Sequence, residues 1–478
     1  MRILFIVNME DLGFEEPLGV MYLSKICKEK NHQVYVSENN YNRIEKMINE
    51  EKPDLLALSI LTPNFPYLLD TVNNVKQRYD IPVIMGGPHA TFFPEIIKEN
   101  SINYLIVGEG EKAWAEFLDK ISSRETATPV MNVVSKANKN PRRPLISNLD
   151  EISFPDRELF RGYEQFYASD VRSVIASRGC PYMCSYCFNY QYQQMYKGLG
   201  AKLRVRSVSN IIEECLELKE RYHAKMIHFF DDIFPFDDEW IEDFADKYKM
   251  KIGLPFITNT SFNVCSEHYV RNLSRAGCKT LLIGVETGNE TLREKILFRK
   301  ISNKKMIEKA HLIHKYNIKI YTQNLIGIPC GSLKHDIETL RLNIDLKADF
   351  SGAYFCQPYP QTAIEQIAKD AGLLEEKFVL SRSFYYSTPL KLDNKKEIER
   401  LHFFFPLVVN FPILINFLDI IFKIPPFIFK ILGNILHGYK IRTVVLRYDM
   451  SLNMFIKNLI LFFKRKVNRT FHSDITVK

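Results

Sequence analysis

From residue 1 to about 120, short apolar runs alternate with longer segments whose apolar positions recur at helical spacing. Arg2–Val7, Gln33–Val36, Leu55–Ile60, Pro82–Met85 and Tyr104–Val107 read as strands. Leu18–Glu29, Tyr41–Glu51, Leu68–Tyr79 and Ala113–Ser122 read as amphipathic helices. Alternation of this kind predicts a parallel sheet with helices on both faces, an α/β unit whose ligands bind beyond the carboxyl ends of the strands. The pattern lapses over 125–165, which is rich in Asn, Lys, Pro and Arg and reads as a linker. It resumes over 166–370 with longer units. Strands are predicted at Val171–Ala176, Met226–Phe230, Pro255–Asn259, Thr280–Val285, Lys319–Ile326 and Gly352–Gln357. Helices are predicted in the gaps, among them Val208–Arg221, Asp238–Tyr248, Glu267–Ala276, Lys304–Tyr316 and Leu333–Ile344. Six strand–helix repeats predict a (β/α)6 barrel or partial barrel with its function at the carboxyl ends of the strands.

Residues 371–478 break the alternation and predict a mostly helical, apolar carboxyl-terminal domain. Leu401–Lys440 is dominated by Phe, Ile, Leu and Pro, with Phe403, Phe404, Phe405, Phe411, Phe417, Phe422, Phe427 and Phe429 among them. Its longest uncharged stretch, Phe403–Leu418, carries Pro406 and Pro412 and is short for a membrane span. Two readings stand: packed helices, or a surface turned to a membrane or a lipid substrate. Ser451–Lys466 is amphipathic and basic, as suits a helix on an anionic membrane or a solvated terminal helix. The chain opens directly on a strand, with no export signal in front, so a reducing, cytoplasmic compartment is expected, with peripheral membrane association as an addition. No basic face with interleaved aromatics stands out, so nucleic-acid binding is not expected.

The chemistry is concentrated in Ala176-Ser-Arg-Gly-Cys-Pro-Tyr-Met-Cys-Ser-Tyr-Cys-Phe-Asn189. Cys180, Cys184 and Cys187 stand in C-x3-C-x2-C spacing just after a predicted strand. Three thiolates can hold three corners of an iron–sulfur cube and leave the fourth iron open, which means chemistry at the metal rather than plain electron transfer. A zinc site would pair C-x2-C with a second Cys/His pair, and none follows at suitable spacing. This segment, with Tyr186 before the last cysteine, closely resembles the signature of the radical S-adenosylmethionine enzymes. The resemblance implies a 4Fe–4S cluster whose open iron chelates S-adenosylmethionine, and a 5′-deoxyadenosyl radical formed when one electron cleaves the sulfonium. It implies an external donor such as flavodoxin or ferredoxin. Later segments extend it. Asp231 and Asp232, in Phe229-Phe-Asp-Asp-Ile-Phe234, follow a strand and can meet ribose, cluster-bound groups or substrate, or else cap the next segment. Ile283-Gly-Val-Glu-Thr-Gly288 is similar to the family's strand with a glutamate, so Glu286 is expected on the ribose or amino group. A carboxylate leaving an apolar strand is costly to bury unless paired. Gln323-Asn-Leu-Ile-Gly-Ile-Pro329 resembles the strand lining the adenine, with Asn324 as the contact. The chain departs from that pattern with Cys330 between Pro329 and Gly331; this thiol reads as packed, or else as a fourth ligand or redox partner.

The first 124 residues resemble the Rossmann-like domain of the cobalamin-binding radical S-adenosylmethionine subgroup. The resemblance rests on Pro17-Leu-Gly-Val-Met-Tyr-Leu23, Pro53-Asp-Leu-Leu-Ala-Leu-Ser59, Gly86-Gly-Pro-His-Ala-Thr91 and Val107-Gly-Glu-Gly-Glu111. It implies cobalamin contacts from Ser59, Leu61, Thr62, Gly86, Gly87, His89, Gly108, Glu109 and Gly110, the glycines letting backbone approach a large ligand. Asn8-Met-Glu-Asp-Leu-Gly13 offers no histidine to cobalt, so Leu61 and Thr62 are expected nearest the lower face and His89 at the nucleotide tail. A nucleotide-binding or vestigial module is the alternative. The architecture expected is thus this domain (1–124), a linker (125–165), a (β/α)6 partial TIM barrel (166–370) and a helical tail (371–478). The function implied is methyl transfer to an unactivated carbon or phosphorus centre. A cobalamin-dependent oxidative cyclisation or rearrangement is the second reading, and a non-catalytic sensor or carrier the third. The aromatic carboxyl-terminal segment hints at an apolar small-molecule substrate, isoprenoid or lipid.

Overall fold

The computed structural model describes residues 1–9, 16–123, 125, 129–167, 169–381, 385 and 387–448. They fall into two compact units, Met1–Ser169 with Tyr196–Ala201, and Asp170–Met195 with the chain from Lys202 onward.

The first unit is built on strands β1 (Arg2–Val7), β2 (Gln33–Glu38), β3 (Leu55–Ser59), β4 (Val83–Gly86) and β5 (Tyr104–Ile106). These are parallel, in the order β2-β1-β3-β4-β5, and β6 (Val133–Ser135) adds an antiparallel edge. Ile3, Leu4, Phe5 and Ile6 are all buried, as a strand covered by helices on both faces requires. The order reverses between β1 and β3, and a crevice for ligands opens at such a reversal. Residues 129–167, expected as a linker, are packed into this unit. Val130, Val133, Val134, Leu145, Ile146, Leu149 and Phe160 are buried, and Arg157 pairs with Glu16 at 2.5 Å out of contact with water. Their apolar positions follow neither a helical nor a strand period, so a pattern reading has nothing to detect.

The second unit contains β7 (Val171–Val174), the two-residue antiparallel pair β8 (Ser177–Arg178) and β9 (Arg204–Val205), and then β10 (Met226–Phe229), β11 (Phe256–Thr260), β12 (Cys278–Glu286), β13 (Lys319–Ile326) and β14 (Phe350–Phe355). Strands β7, β10, β11, β12, β13 and β14 pair in parallel in sequence order, the layout of a partial barrel. Side chains alternate across it. Phe229 faces the helices with Phe234, Phe244 and Tyr248, and its neighbours Met226 and His228 face inward. At the amino ends of the strands the interior is filled by Val171, Met226, Ile257, Leu282, Tyr321 and Phe350. Val444, Val445, Leu446 and Tyr448 close that end from below, where the Thr280 hydroxyl donates to the Val444 carbonyl. The described part of the expected carboxyl-terminal domain therefore belongs to the barrel unit. Helix Lys395–Asn410 likewise lays Ile398, Leu401, Phe404, Phe405 and Val408 against Ile326, Ala353 and Phe355. Among the described residues no helix is long and apolar enough to cross a membrane. The Ser451–Lys466 segment and most of the Asn8–Gly13 motif lie outside the described residues.

Candidate active site

Gly179 turns the chain from β8 into the cysteine loop with φ +89°, and a side-chain carbon there would run into the Lys202 carbonyl. The loop is tied down along its length. Gln193 Nε2 donates to the carbonyls of Cys180 (2.6 Å) and Tyr182 (3.0 Å). Ser185 Oγ donates to the Ile296 carbonyl (2.6 Å), and its own carbonyl accepts from the Ile364 amide (3.0 Å). The Asn189 amide points at Cys187 Sγ, 3.5 Å away. Cys180, Cys184 and Cys187 are half-buried. Burial pushes Cys180 up to about 11 and Cys187 to about 12 and raises Cys184 as well; Cys184 further opposes ionisation of Cys180, and Cys184 and Cys180 that of Cys187. Such a set ionises when it receives positive charge, as a metal cluster supplies. Among the described residues no three His, Cys, Asp or Glu side chains close round a single ion. In an iron–sulfur cube each thiolate binds a different iron, so its donors stand farther apart than those of one zinc. Three half-buried thiols on one short loop are the kind of donor that an iron–sulfur cube takes.

At the carboxyl end of β12 the register shifts between Gly284 and Glu286, and Glu286 adopts φ +67°, left-handed for a residue with a side chain. This turn aims the buried carboxylate at two partners. Glu286 Oε1 accepts from the Tyr186 hydroxyl (2.8 Å) and from Arg299 (2.8 Å), and Arg299 also donates to Tyr186 Oη (3.0 Å) and to the Gly284 carbonyl (2.9 Å). Burial raises the carboxyl of Glu286, and Arg299 and Tyr186 counter it. Burial likewise works against the Arg299 charge, but Tyr186 and Glu286 outweigh it and hold the guanidinium protonated. Tyr186 lies between two cluster cysteines, so the triad fastens the cysteine loop to the end of β12. Gly284 leaves the room: a Cβ there would meet the Glu286 carboxylate and Arg299. Arg299 was not anticipated. It follows the apolar Ile296-Leu297-Phe298 in a stretch that carries no motif.

Asp231 and Asp232 part company. Asp232 is exposed and accepts from Asn189 Nδ2 at 3.0 Å, and its charge is felt at Cys180 and Cys187. Asp231 is buried and takes hydrogen bonds from the Ser177 amide (2.5 Å), the Ser177 hydroxyl (2.6 Å) and the Ala176 amide (3.3 Å). These bonds tie it to the strand that leads into the cysteines. Asn324 is turned away. Its amide donates to the Gly352 carbonyl (2.9 Å) and its oxygen accepts from Asn343 (2.7 Å), in a buried network on the helix side of β13. Strand parity puts Gln323 and Leu325 on the other face, and Leu325 packs in the cluster that includes Tyr186. Cys330, read as packed, is exposed, with φ +63° in the turn after β13. The extra residue before Gly331 makes that turn left-handed and pushes the thiol outward. A residue not anticipated is His228. It faces the barrel interior, 92% buried, with Phe230 edge-on at 5.0 Å and no hydrogen-bond partner for Nε2 among the described residues.

In the first unit the predicted loops meet at the carboxyl ends of β3, β4 and β5. Ser59 and Leu61 are exposed and Thr62 half-exposed, with Leu61 offering nearly half its apolar surface. Gly87 has φ +88°, and a Cβ there would sit 2.8 Å from the Ile60 amide and 2.9 Å from Ser59 Oγ. Gly108 has φ +87°, and a Cβ there would strike the Tyr196 hydroxyl. Thr91 joins the two glycine turns, donating to the Gly87 carbonyl (2.8 Å) and accepting from the Gly108 amide (3.0 Å). His89 is clamped between Phe65 (4.3 Å) and Phe93 (4.8 Å), its Nδ1 3.3 Å from Thr62 Oγ1. Its buried Nε2 has no partner among the described residues, and burial lowers the ring to about 4. Glu109 spends its carboxylate on the Ile146 amide (2.8 Å), and the Gly110 carbonyl receives the Trp114 amide (2.7 Å). An exposed apolar Leu61, close-packed glycine turns and an unsatisfied neutral imidazole fit a large, mostly apolar ring system with polar edges.

Residues 6–118 match the family model of the B12 binding domain, and residues 174–342 match that of the radical SAM superfamily. An uncharacterized methyltransferase of Pyrococcus horikoshii is 26% identical over 374 residues, covering 75% of this chain and 79% of that protein. An anaerobic magnesium-protoporphyrin IX monomethyl ester cyclase of Rubrivivax gelatinosus is 22% identical over 390 residues, covering 75% and 68%. The radical S-adenosylmethionine methyltransferase TsrM from Kitasatospora setae, solved with cobalamin and a 4Fe–4S cluster, superposes with a TM-score of 0.63 at 15% identity, over 77% of this chain and 75% of that one. The fold and the two domains together define a radical S-adenosylmethionine enzyme. More narrowly, the chain belongs to the B12-binding radical S-adenosylmethionine superfamily, and its cofactors are a 4Fe–4S cluster, S-adenosylmethionine and cobalamin.

Proposed function

We propose that the protein is a cobalamin-dependent methyltransferase acting on an unactivated carbon (or phosphorus) of a small-molecule substrate, fed electrons by a low-potential donor such as flavodoxin or ferredoxin. The observation that carries this is the pairing of a three-thiol loop, fastened to β12 through Tyr186, Glu286 and Arg299, with a separate glycine-turn unit suited to a corrin. Bound together, the three cofactors supply a substrate radical and a methyl group to quench it. Cys180, Cys184 and Cys187 hold the iron. Tyr186 and Arg299 orient the Glu286 carboxylate, leaving its second oxygen for the amino or ribose group of S-adenosylmethionine. Asp232, exposed at the end of β10, serves a ribose hydroxyl. His228, neutral and unpartnered, offers a hydrogen bond to the substrate inside the barrel. Ser59, Leu61, Thr62, Gly86, Gly87, His89, Gly108 and Gly110 surround cobalamin. Asp231, Asn324 and the Glu109 side chain act in this reading as supports of the site rather than as contacts.

A cobalamin-dependent oxidative cyclase is the second reading, favoured by the likeness to the Rubrivivax gelatinosus cyclase. The test is anaerobic reconstitution with iron, sulfide and hydroxocobalamin, then dithionite and S-adenosylmethionine, with products read by mass spectrometry. Methyl transfer yields S-adenosylhomocysteine together with 5′-deoxyadenosine. The triple variant Cys180→Ala/Cys184→Ala/Cys187→Ala is expected to lose deoxyadenosine formation. Deoxyadenosine without S-adenosylhomocysteine would move the reading to the cyclase, and a wild-type protein that holds no iron would overturn both.

A further inference from the structure

Helix Pro426–Lys440 is amphipathic in the wrong sense for a protein surface. Phe427, Ile428, Ile431, Leu432, Ile435 and Tyr439 recur at helical spacing and form one stripe, between 37% and 62% exposed. The opposite side meets the protein. Phe429 is buried against Phe404, a Cβ on Gly433 would sit 2.9 Å from the Phe403 carbonyl, His437 lies 5.4 Å from the Phe350 ring, and Lys440 Nζ donates to the Asp349 carbonyl at 2.8 Å. The preceding segment, packed on the same apolar cluster, exposes Phe411, Ile413, Phe417 and Ile420. Ten large apolar side chains presented by two adjoining elements exceed the scattered exposure normal for a monomer.

Charge indicates what covers them. Residues 411–448 hold one acid, Asp419, against five bases; Lys423 is exposed, whereas Lys440, Arg442 and Arg447 donate to the carbonyls of Asp349, Leu446 and Lys279. The chain then runs on through 449–478 with six bases and two acids. An apolar stripe in a basic, acid-poor setting complements a sheet of anionic headgroups over hydrocarbon. A second copy of the same patch would bring like charges together. We infer that this face docks on the surface of an anionic lipid bilayer, the stripe seated at the headgroup boundary. Docking there would deliver an apolar substrate from the membrane; the surface itself is inferred independently of the reaction.

The test uses the full chain and vesicles. Wild-type protein is expected to sediment with phosphatidylcholine vesicles containing phosphatidylglycerol, and about tenfold less with phosphatidylcholine alone or at high salt. Ile431→Asp/Ile435→Asp is expected to lower sedimentation with the anionic vesicles by about tenfold or more while leaving 5′-deoxyadenosine formation unchanged. Phe427→Trp reports the environment of the stripe. Its emission is expected to be that of an exposed indole in buffer and to shift to the blue only with anionic vesicles. A blue-shifted emission without vesicles would mean that residues 449–478 or a second copy already cover the face, and would overturn the proposal. So would a concentration-dependent dimer that Ile431→Asp/Ile435→Asp abolishes, or binding indifferent to lipid charge. Loss of deoxyadenosine formation in wild type would count against the reaction and not against the docking.

Discussion

His89 and His228 are both buried without a partner for Nε2, and burial lowers each to about 4 from an ordinary 6.5. The unfolded chain binds a proton below 6.5 that the folded chain refuses until about 4. The stability each ring contributes is therefore fully present above pH 6.5 and is lost as pH falls through 4, on the order of 3 kcal/mol apiece. Asp231 runs the other way. Burial lifts its carboxyl to about 7, so its contribution is complete below 3.8 and lost as pH rises through 7. Thermal unfolding followed from about pH 7.5 to about pH 4.5 is expected to flatten on the acid side in His228→Gln, and to flatten at the neutral end in Asp231→Asn. A slope unchanged in both would mean that the groups are solvated. Sequence patterning could name Asp231 but not its role, because the two strand-end carboxylates differ only in which way each points. His228 gave no signal at all, since one polar residue in Met226–Phe229 looks like an interruption of a strand until the fold shows what lies on each face.

At the scale of elements, the glycine turns are the most legible part of the site. Gly87, Gly108 and Gly179 all take positive φ, and in each case a Cβ would collide with a neighbouring backbone or hydroxyl atom. Gly108→Ala adds strain of about 1–2 kcal/mol before any collision with Tyr196. It is expected to lower cobalamin retention about tenfold or more, read from the corrin absorbance after gel filtration, with iron content preserved. Gly179→Ala is expected to do the reverse. Equal loss of both cofactors in either variant would mean that the turns serve only to fold the chain. The strand of Asn324 was legible as an element, but not the direction of each side chain along it. Its residues alternate between faces, and the neighbour Leu325, not Asn324, lies on the face toward Tyr186. Arg299 was illegible because it stands 13 residues beyond Glu286 in no recognisable motif, and only folding brings it 2.8 Å from Glu286.

Across the whole molecule, Val444, Val445, Leu446 and Tyr448 seal the amino ends of the barrel strands from a segment that the sequence assigned to a separate domain. Leu446→Ala removes a side chain from that seal and is expected to destabilise the second unit by about 2–5 kcal/mol. Denaturant unfolding monitored with cobalamin bound should show this as loss of iron at lower denaturant, with corrin release unmoved. A corrin transition shifted by the same amount would mean that the two units unfold as one. The alternation that makes both sheets parallel, the three thiols and their spacing, and the glycines were readable from the chain alone, because period, ligand chemistry and absent side chains are local properties. Only the folded arrangement buries Asp231 and exposes Asp232, brings Arg299 to Glu286, packs residues 129–167 into the first unit, and leaves an apolar helix face exposed among the described residues. Each of these depends on which residues distant in sequence arrive as neighbours, and neither composition nor periodicity carries that information.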